Sequence, residues 1–273
     1  MRHASSNTCR DSSHFLGSVM LYSQYVALGD SMSIDLYPAL DAGETDVSVA
    51  LEWDARAGSV APLGAASLLY RNVDDRYPEF AGRDLLSRNR RTGLLNLAED
   101  GATIGDVFGS QLSQLEESEE TSLITLSVGG NDLLSAFANR PGASLMRGIV
   151  RDIGEGYEFL VESLRRSRPS STIVLTTVYD PSDDTRRIPG VFEGAGDLPL
   201  EWLHELNDTI RRVAQRTPRS AVADAYRHFL GHGVTAAEPD RWYWSRSWIE
   251  PNAAGASEIR RLWLDALDAL VEN

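Results

Sequence analysis

The sequence predicts an α/β fold, a parallel, doubly wound sheet with helices on both faces. Three observations predict it. Five short, β-rich apolar runs recur along the chain: 25–28 (YVAL), 93–97 (GLLNL), 122–128 (SLITLSV), 172–178 (TIVLTTV) and 220–224 (SAVAD). Segments of helical length and period separate them, and strands joined by helical crossovers pair in parallel. The 273 residues show no break in composition, which makes one domain with a large core the default.

The elements follow in order. Residues 1–19 read as a polar lead-in without a periodic apolar face, and the domain as residues 20–273, with Met20 a plausible true start. The seven-residue run FLGSVML (15–21) is too short for a secretory leader and has no clear small-x-small cleavage site, so the expectation is a cytoplasmic protein. After the first strand, residues 38–92 exceed a simple connection. They hold Trp53, Tyr70 and Tyr77, and predict a helix near 64–74 with an excursion close to the cleft. TIGDVFGSQLSQLEE (103–117) opens at Thr103 with an acidic first turn and reads as a helix. The pattern over 142–168 is helical too, with Gly154 and Gly156 as possible interruptions. Residues 198–216 and 253–273 complete the helices. The run EESEE (116–120) reads as a solvated helix end.

Composition excludes several classes of function. The net charge is −14, with 40 acidic and 26 basic residues, which argues against nucleic acid or anionic lipid as partner. Every basic residue is Arg. The single Cys9 allows no intrachain disulfide and no cysteine-rich metal site. No run approaches the ~20 apolar residues of a membrane span. No His-Glu-x-x-His pattern or spaced carboxylate cluster suggests a metal, so no cofactor is implied.

Ligands of open parallel sheets bind beyond the carboxyl ends of the strands. Three short motifs fall there: Gly29-Asp30-Ser31 after strand 1, Glu99-Asp100-Gly101 after strand 2, and Gly129-Gly130-Asn131-Asp132 after strand 3. Alone, each reads as a turn, with Ser31 a helix cap. In this order, over roughly residues 24–270, they resemble the GDSL/SGNH hydrolase superfamily of serine esterases and lipases. That resemblance implies a flavodoxin-like three-layer α/β/α sandwich with a five-stranded parallel sheet. It also implies Ser31 as nucleophile. The backbone N–H groups of Ser31 and Gly101, with the Asn131 amide, would form the oxyanion hole.

The family's last block, Asp-x-x-His followed by Pro and Gly, matches SWIEPNAAG at 247–255. Pro251, Asn252 and Gly255 keep the register. Ser247 stands where the family has Asp, and Glu250 where it has His. Three readings of the missing base are open. Glu250 is the base if burial lifts it from the ~4.3 of a free glutamate. Alternatively His232, in the FLGHG run just past strand 5, supplies an imidazole. In the third reading hydrolysis is lost and a binding cleft remains. Against the first two stand structural readings: Glu250 paired with Arg241 or Arg246, and His232 bonded to backbone.

Other residues are weaker candidates. Asp35, four after Ser31, shares a helical face with it or serves as a first-turn carboxylate on the helix dipole. Trp242, Tyr243, Trp244 and Trp248 line the cleft or pack beneath it, and about half of them are expected to touch substrate. His3, His14, His204 and His228 lie in lead-in, helical or turn context. The expected activity is hydrolysis of a carboxylic ester, a small molecule carrying an acyl or acetyl group, through a Ser31 acyl-enzyme. The rivals are a catalytically silent acyl-ligand-binding protein and an acyltransferase. Acyl length, alcohol moiety and oligomeric state are not encoded legibly.

Overall fold

The computed structural model describes residues 21–45, 60–139, 142–191 and 196–272. The lead-in 1–19, Met20 and Trp53 lie outside the described residues. Five strands form one parallel sheet: β1 (Gln24–Gly29), β2 (Gly93–Asn96), β3 (Ser122–Ser127), β4 (Thr172–Thr176) and β5 (Ser220–Ala223). Their order is β2-β1-β3-β4-β5, the flavodoxin-like arrangement. β1, β3 and β4 are buried from both faces, which is why their apolar residues do not alternate with exposed polar ones. Each face packs its own core. Tyr25, Ala27, Leu123 and Val174 point to one, with Leu68, Leu69 and Trp263. Val26, Leu28, Ile124 and Leu126 point to the other, with Tyr157, Leu160 and Ile210. That split is the period-2 alternation of a strand sandwiched between helices.

The helices are α1 (Leu36–Asp41), α2 (Ala65–Tyr70), α3 (Leu85–Arg88), α4 (Ile104–Asp106), α5 (Gly130–Ala138), α6 (Ala143–Ser167), α7 (Leu200–Arg216), α8 (Ala225–Phe229) and α9 (Ala253–Glu272). The helix predicted near 64–74 is α2, shorter than expected. α6 runs unbroken through Gly154 and Gly156, with Gly154 facing Thr209 of α7. The predicted 103–117 helix departs most. After a capping box between Thr103 and Asp106 it widens into a π turn over Val107–Gln111 and tightens over Leu112–Gln114. An antiparallel hairpin, β6 (Tyr243–Trp244) and β7 (Ser247–Pro251), carries the last sequence block back beside α1.

Candidate active site

β1 ends at Gly29 with φ +125°, and a Cβ there would drive into the Ser127 carbonyl of β3, so only glycine lets the chain turn this close to its neighbour. Gln111, fully buried in the π turn, completes the strand end. Its amide accepts from Gly29 N at 2.8 Å and donates to Gly29 O at 2.8 Å. The turn is fixed further by Asp30, whose N–H donates to Ser127 O at 2.9 Å and whose carboxylate accepts from Met32 N at 3.1 Å. Burial pushes the Asp30 carboxyl well above the usual range, and nearby Glu250 and Asp132 push the same way. Ser31 thus stands on a rigid turn, 8 % exposed, in the wall of a cleft.

Glu250 comes from β7 and is 7 % exposed. Burial is the dominant influence on its carboxyl and pushes the pKa up to about 7. The nearby Ser31 hydroxyl opposes this, and the charge of Asp100 adds to it. Glu250 Oε2 is buried without a hydrogen-bond partner. Neither arginine of the structural reading pairs with it among the described residues. Arg241 lies over the Trp248 ring at 4.3 Å and donates to Ala236 O, while Arg246 sits over Trp244. Pro251 and Asn252 hold the hairpin: Asn252 Nδ2 donates to Arg241 O, and its Oδ1 accepts from Gly255 N.

Asn131 opens α5 and lines the same cleft. One hydrogen of its Nδ2 is directed to Ala102 O at 3.1 Å, and Asp132 accepts from Ile104 N at 3.1 Å. The third motif therefore holds the loop of the second, which turns at Gly101 (φ +71°), and the second hydrogen of the Asn131 amide is left for a ligand. Gly101 is not in the cleft wall itself. Beside it, Asp100 accepts from Tyr37 OH at 2.8 Å.

The structure does not bring His232 to Ser31. Its Nδ1 donates to Asp240 O at 2.7 Å, its ring stacks on Trp242 at 3.5 Å and 3°, and it is absent from the cleft wall. Asp35 is also employed elsewhere. It accepts from Gly64 N at 2.7 Å and from Ser67 Oγ at 2.8 Å, capping α2 rather than sharing a face with the serine or serving its own helix. The aromatic expectation needs correction as well. None of Trp242, Tyr243, Trp244 and Trp248 lines the cleft. Tyr243 is buried against Tyr179 and Phe229, and the three tryptophans stack on His232, Arg246 and Arg241. The wall comes instead from α5, the start of α6, the segment after β4 and Ile249. Gln111 and this apolar wall escaped the sequence reading. Three prolines and spaced leucines at 181–203 were the available signal.

The cleft encloses about 840 Å³, its solvent-open mouth included. Among the described residues no group of three or more His, Cys, Asp or Glu is placed to hold a metal ion, and no helix is long and apolar enough to cross a membrane.

Residues 48–257 match the GDSL-like lipase/acylhydrolase family, and the chain belongs to it. The match begins beyond Ser31, so the position of the serine rests on the fold and on the first motif. Among curated proteins none matches. Solved structures share the fold. The extracellular lipase of Streptomyces rimosus is 19% identical, with 89% of this chain and 99% of that one covered and a TM-score of 0.53. Phospholipase A1 of Streptomyces albidoflavus NA297 is 21% identical over 91% and 99%, at 0.55. An acetylxylan esterase of Geobacillus stearothermophilus is 14% identical over 89% and 93%, at 0.56.

Proposed function

We propose that this protein hydrolyses carboxylic esters through an acyl-enzyme on Ser31, with Glu250 as general base. The observation that carries the reading is that Ser31 shares the cleft wall with a buried carboxylate that has no counter-ion among the described residues. Ser31 Oγ attacks the ester carbonyl as its proton passes to Glu250. The oxyanion meets the Asn131 amide and the Ser31 N–H group, whereas Gly101, outside the cleft wall, drops from the expected set. Collapse expels the alcohol, which takes its proton from Glu250. Water then repeats the sequence on the acyl-enzyme, releasing the acid and regenerating Ser31.

Replacement of both family residues makes chemical sense as one change. A histidine base becomes a cation when it takes the proton, and an aspartate steadies that cation. A glutamate becomes neutral, which its buried site favours, so Ser247 in the aspartate's place leaves nothing unsatisfied. The negative charge moves from Glu250 to the oxyanion and no new charge pair is created.

The test combines a fluorophosphonate probe with turnover of p-nitrophenyl butyrate, using Ser31→Ala as control. Labelling and turnover in the wild type, both abolished in Ser31→Ala with circular dichroism unchanged, are expected. A wild type that neither labels nor turns over supports a silent binding protein. Near-wild-type activity in Ser31→Ala removes the serine from the mechanism.

A further inference from the structure

We infer that the cleft receives the acyl part of the substrate as an uncharged, apolar chain of several carbons, and that Asp183 fixes the outer wall that grips it. The inference rests on the reading of Ser31 as the acylated residue. Beyond the polar end at Ser31, Asn131 and Glu250, the wall is formed by side chains such as Leu134, Phe137, Met146, Leu198, Trp202 and Ile249. Among the described residues neither arginine nor histidine lines it, and its acidic members there are Asp30, Asp180 and Glu250. Such a surface favours methylenes and repels a carboxylated acyl group. An acetyl group would leave most of it uncovered.

The outer wall is a strap that follows β4 and includes Tyr179, Asp180, Pro181 and Ile188. Its backbone is strained: Asp183, Asp184 and Arg186 hold φ of 50°, 62° and 64°, left-handed values unfavourable for residues with a Cβ. Strain of this kind persists only where the surroundings over-determine it. Here they do. The Asp180 carboxylate accepts from Ser182 N and Asp184 N, both at 2.9 Å. Asp183 reaches the FLGHG loop and accepts from Gly231 N (2.9 Å), Gly233 N (3.0 Å), Thr235 N (3.0 Å) and Thr235 Oγ1 (2.6 Å). Val234 N donates to Pro181 O, and at Gly233 a Cβ would collide with that same carbonyl. The FLGHG run, which the catalytic reading leaves unused, is therefore the seat of this clamp. Asp183 is a positioning residue that acts on chain length through the strap.

The experiment measures kcat/KM for p-nitrophenyl acetate, butyrate and octanoate on the full chain. It should rise with each added methylene, by up to about fourfold, the factor equivalent to burying one CH₂. Asp183→Asn should lower the octanoate-to-acetate ratio about tenfold, whereas a merely structural role would scale both esters together. Leu134→Trp, which fills the cleft from a half-buried position, should lower the same ratio. A flat series, or one led by acetate, overturns the apolar-chain inference, and an unchanged ratio in Asp183→Asn overturns the clamp. If no ester is turned over, the Ser31 reading fails separately. Calorimetric binding of methyl octanoate against methyl acetate to Ser31→Ala then decides the cleft's preference: tighter octanoate binding upholds it and equal binding overturns it.

Discussion

Glu250 and His232 are both candidates for the base, and by residue type alone the histidine is the better one. Their surroundings reverse that order. His232 has a carbonyl on Nδ1 and a tryptophan against its face. Glu250 has a buried, unpartnered oxygen and shares the cleft wall with Ser31, and its pKa rises to about 7. A free imidazole is poised for neutral pH by its own chemistry, whereas the carboxylate is brought there by burial without a counter-charge. On the proposed reading, function follows the environment of the group more than its identity.

The largest expected effect that sharpens this contrast is on the base itself. Glu250→Gln keeps the shape and removes the basicity, and should lower kcat by about 10³-fold, toward the upper end of what a positioned base contributes. A loss under tenfold would break the comparison. In the wild type, kcat/KM should rise with pH through about 7, because the base works ionised. An imidazole titrates in the same region, so the position of the inflection does not separate the candidates. Its loss in Glu250→Gln and its persistence in His232→Asn do. Next comes Asn131→Ala, expected to lower kcat about 10²–10³-fold with little change in KM, since the amide's bond strengthens as charge develops. An effect confined to KM would assign Asn131 to ground-state binding instead.

A smaller effect lies in stability. The folded Glu250 pKa is raised from 4.5 to about 7, so the folded state holds a proton that the unfolded chain has released between those values. Stability from this group is therefore greatest at low pH and is lost as pH rises toward 7 and above, by about 3 kcal/mol. Glu250→Gln removes that loss. Thermal unfolding should show the variant more stable than wild type at pH 8, with the difference vanishing near pH 4. A variant less stable at pH 8 would mean that the ionised carboxylate is well solvated and no strained base.

Much of this site was legible in the sequence because it is local. Ser31, Asn131 and Glu250 sit at fixed offsets from glycines and a proline that mark strand ends and turns, and these survive without tertiary knowledge. What was illegible is long-range. Gln111 reaches Gly29 across 82 residues only because a helix widens by one residue at the right place, and nothing in the 103–117 pattern marks a π turn. The aromatic run 241–248 was misread because four bulky rings in eight residues look like a cleft lining. Arginines close in sequence, and a histidine ten residues before the first tryptophan, take their faces instead. Asp35 was misread for the same reason. A first-turn carboxylate belongs to its own helix by sequence, yet α2 arrives from 29 residues away to claim it.

The smallest expected effect belongs to the other side of the comparison. His232→Asn removes the imidazole from Trp242 and Asp240 and leaves Ser31 and Glu250 untouched. The FLGHG loop is held mainly through backbone N–H groups donated to Asp183, which the substitution does not alter. What disappears is one stacking contact on a half-buried ring and one side-chain hydrogen bond, worth roughly 1–2 kcal/mol of stability together. kcat on p-nitrophenyl acetate should therefore stay within about twofold of wild type while the melting temperature drops by a few degrees. A steady-state assay paired with a thermal melt reads both quantities. A hundredfold fall in kcat with an unchanged melting point would place the imidazole in the reaction, and Glu250 would revert to a buried acid whose contact with Ser31 serves only the fold.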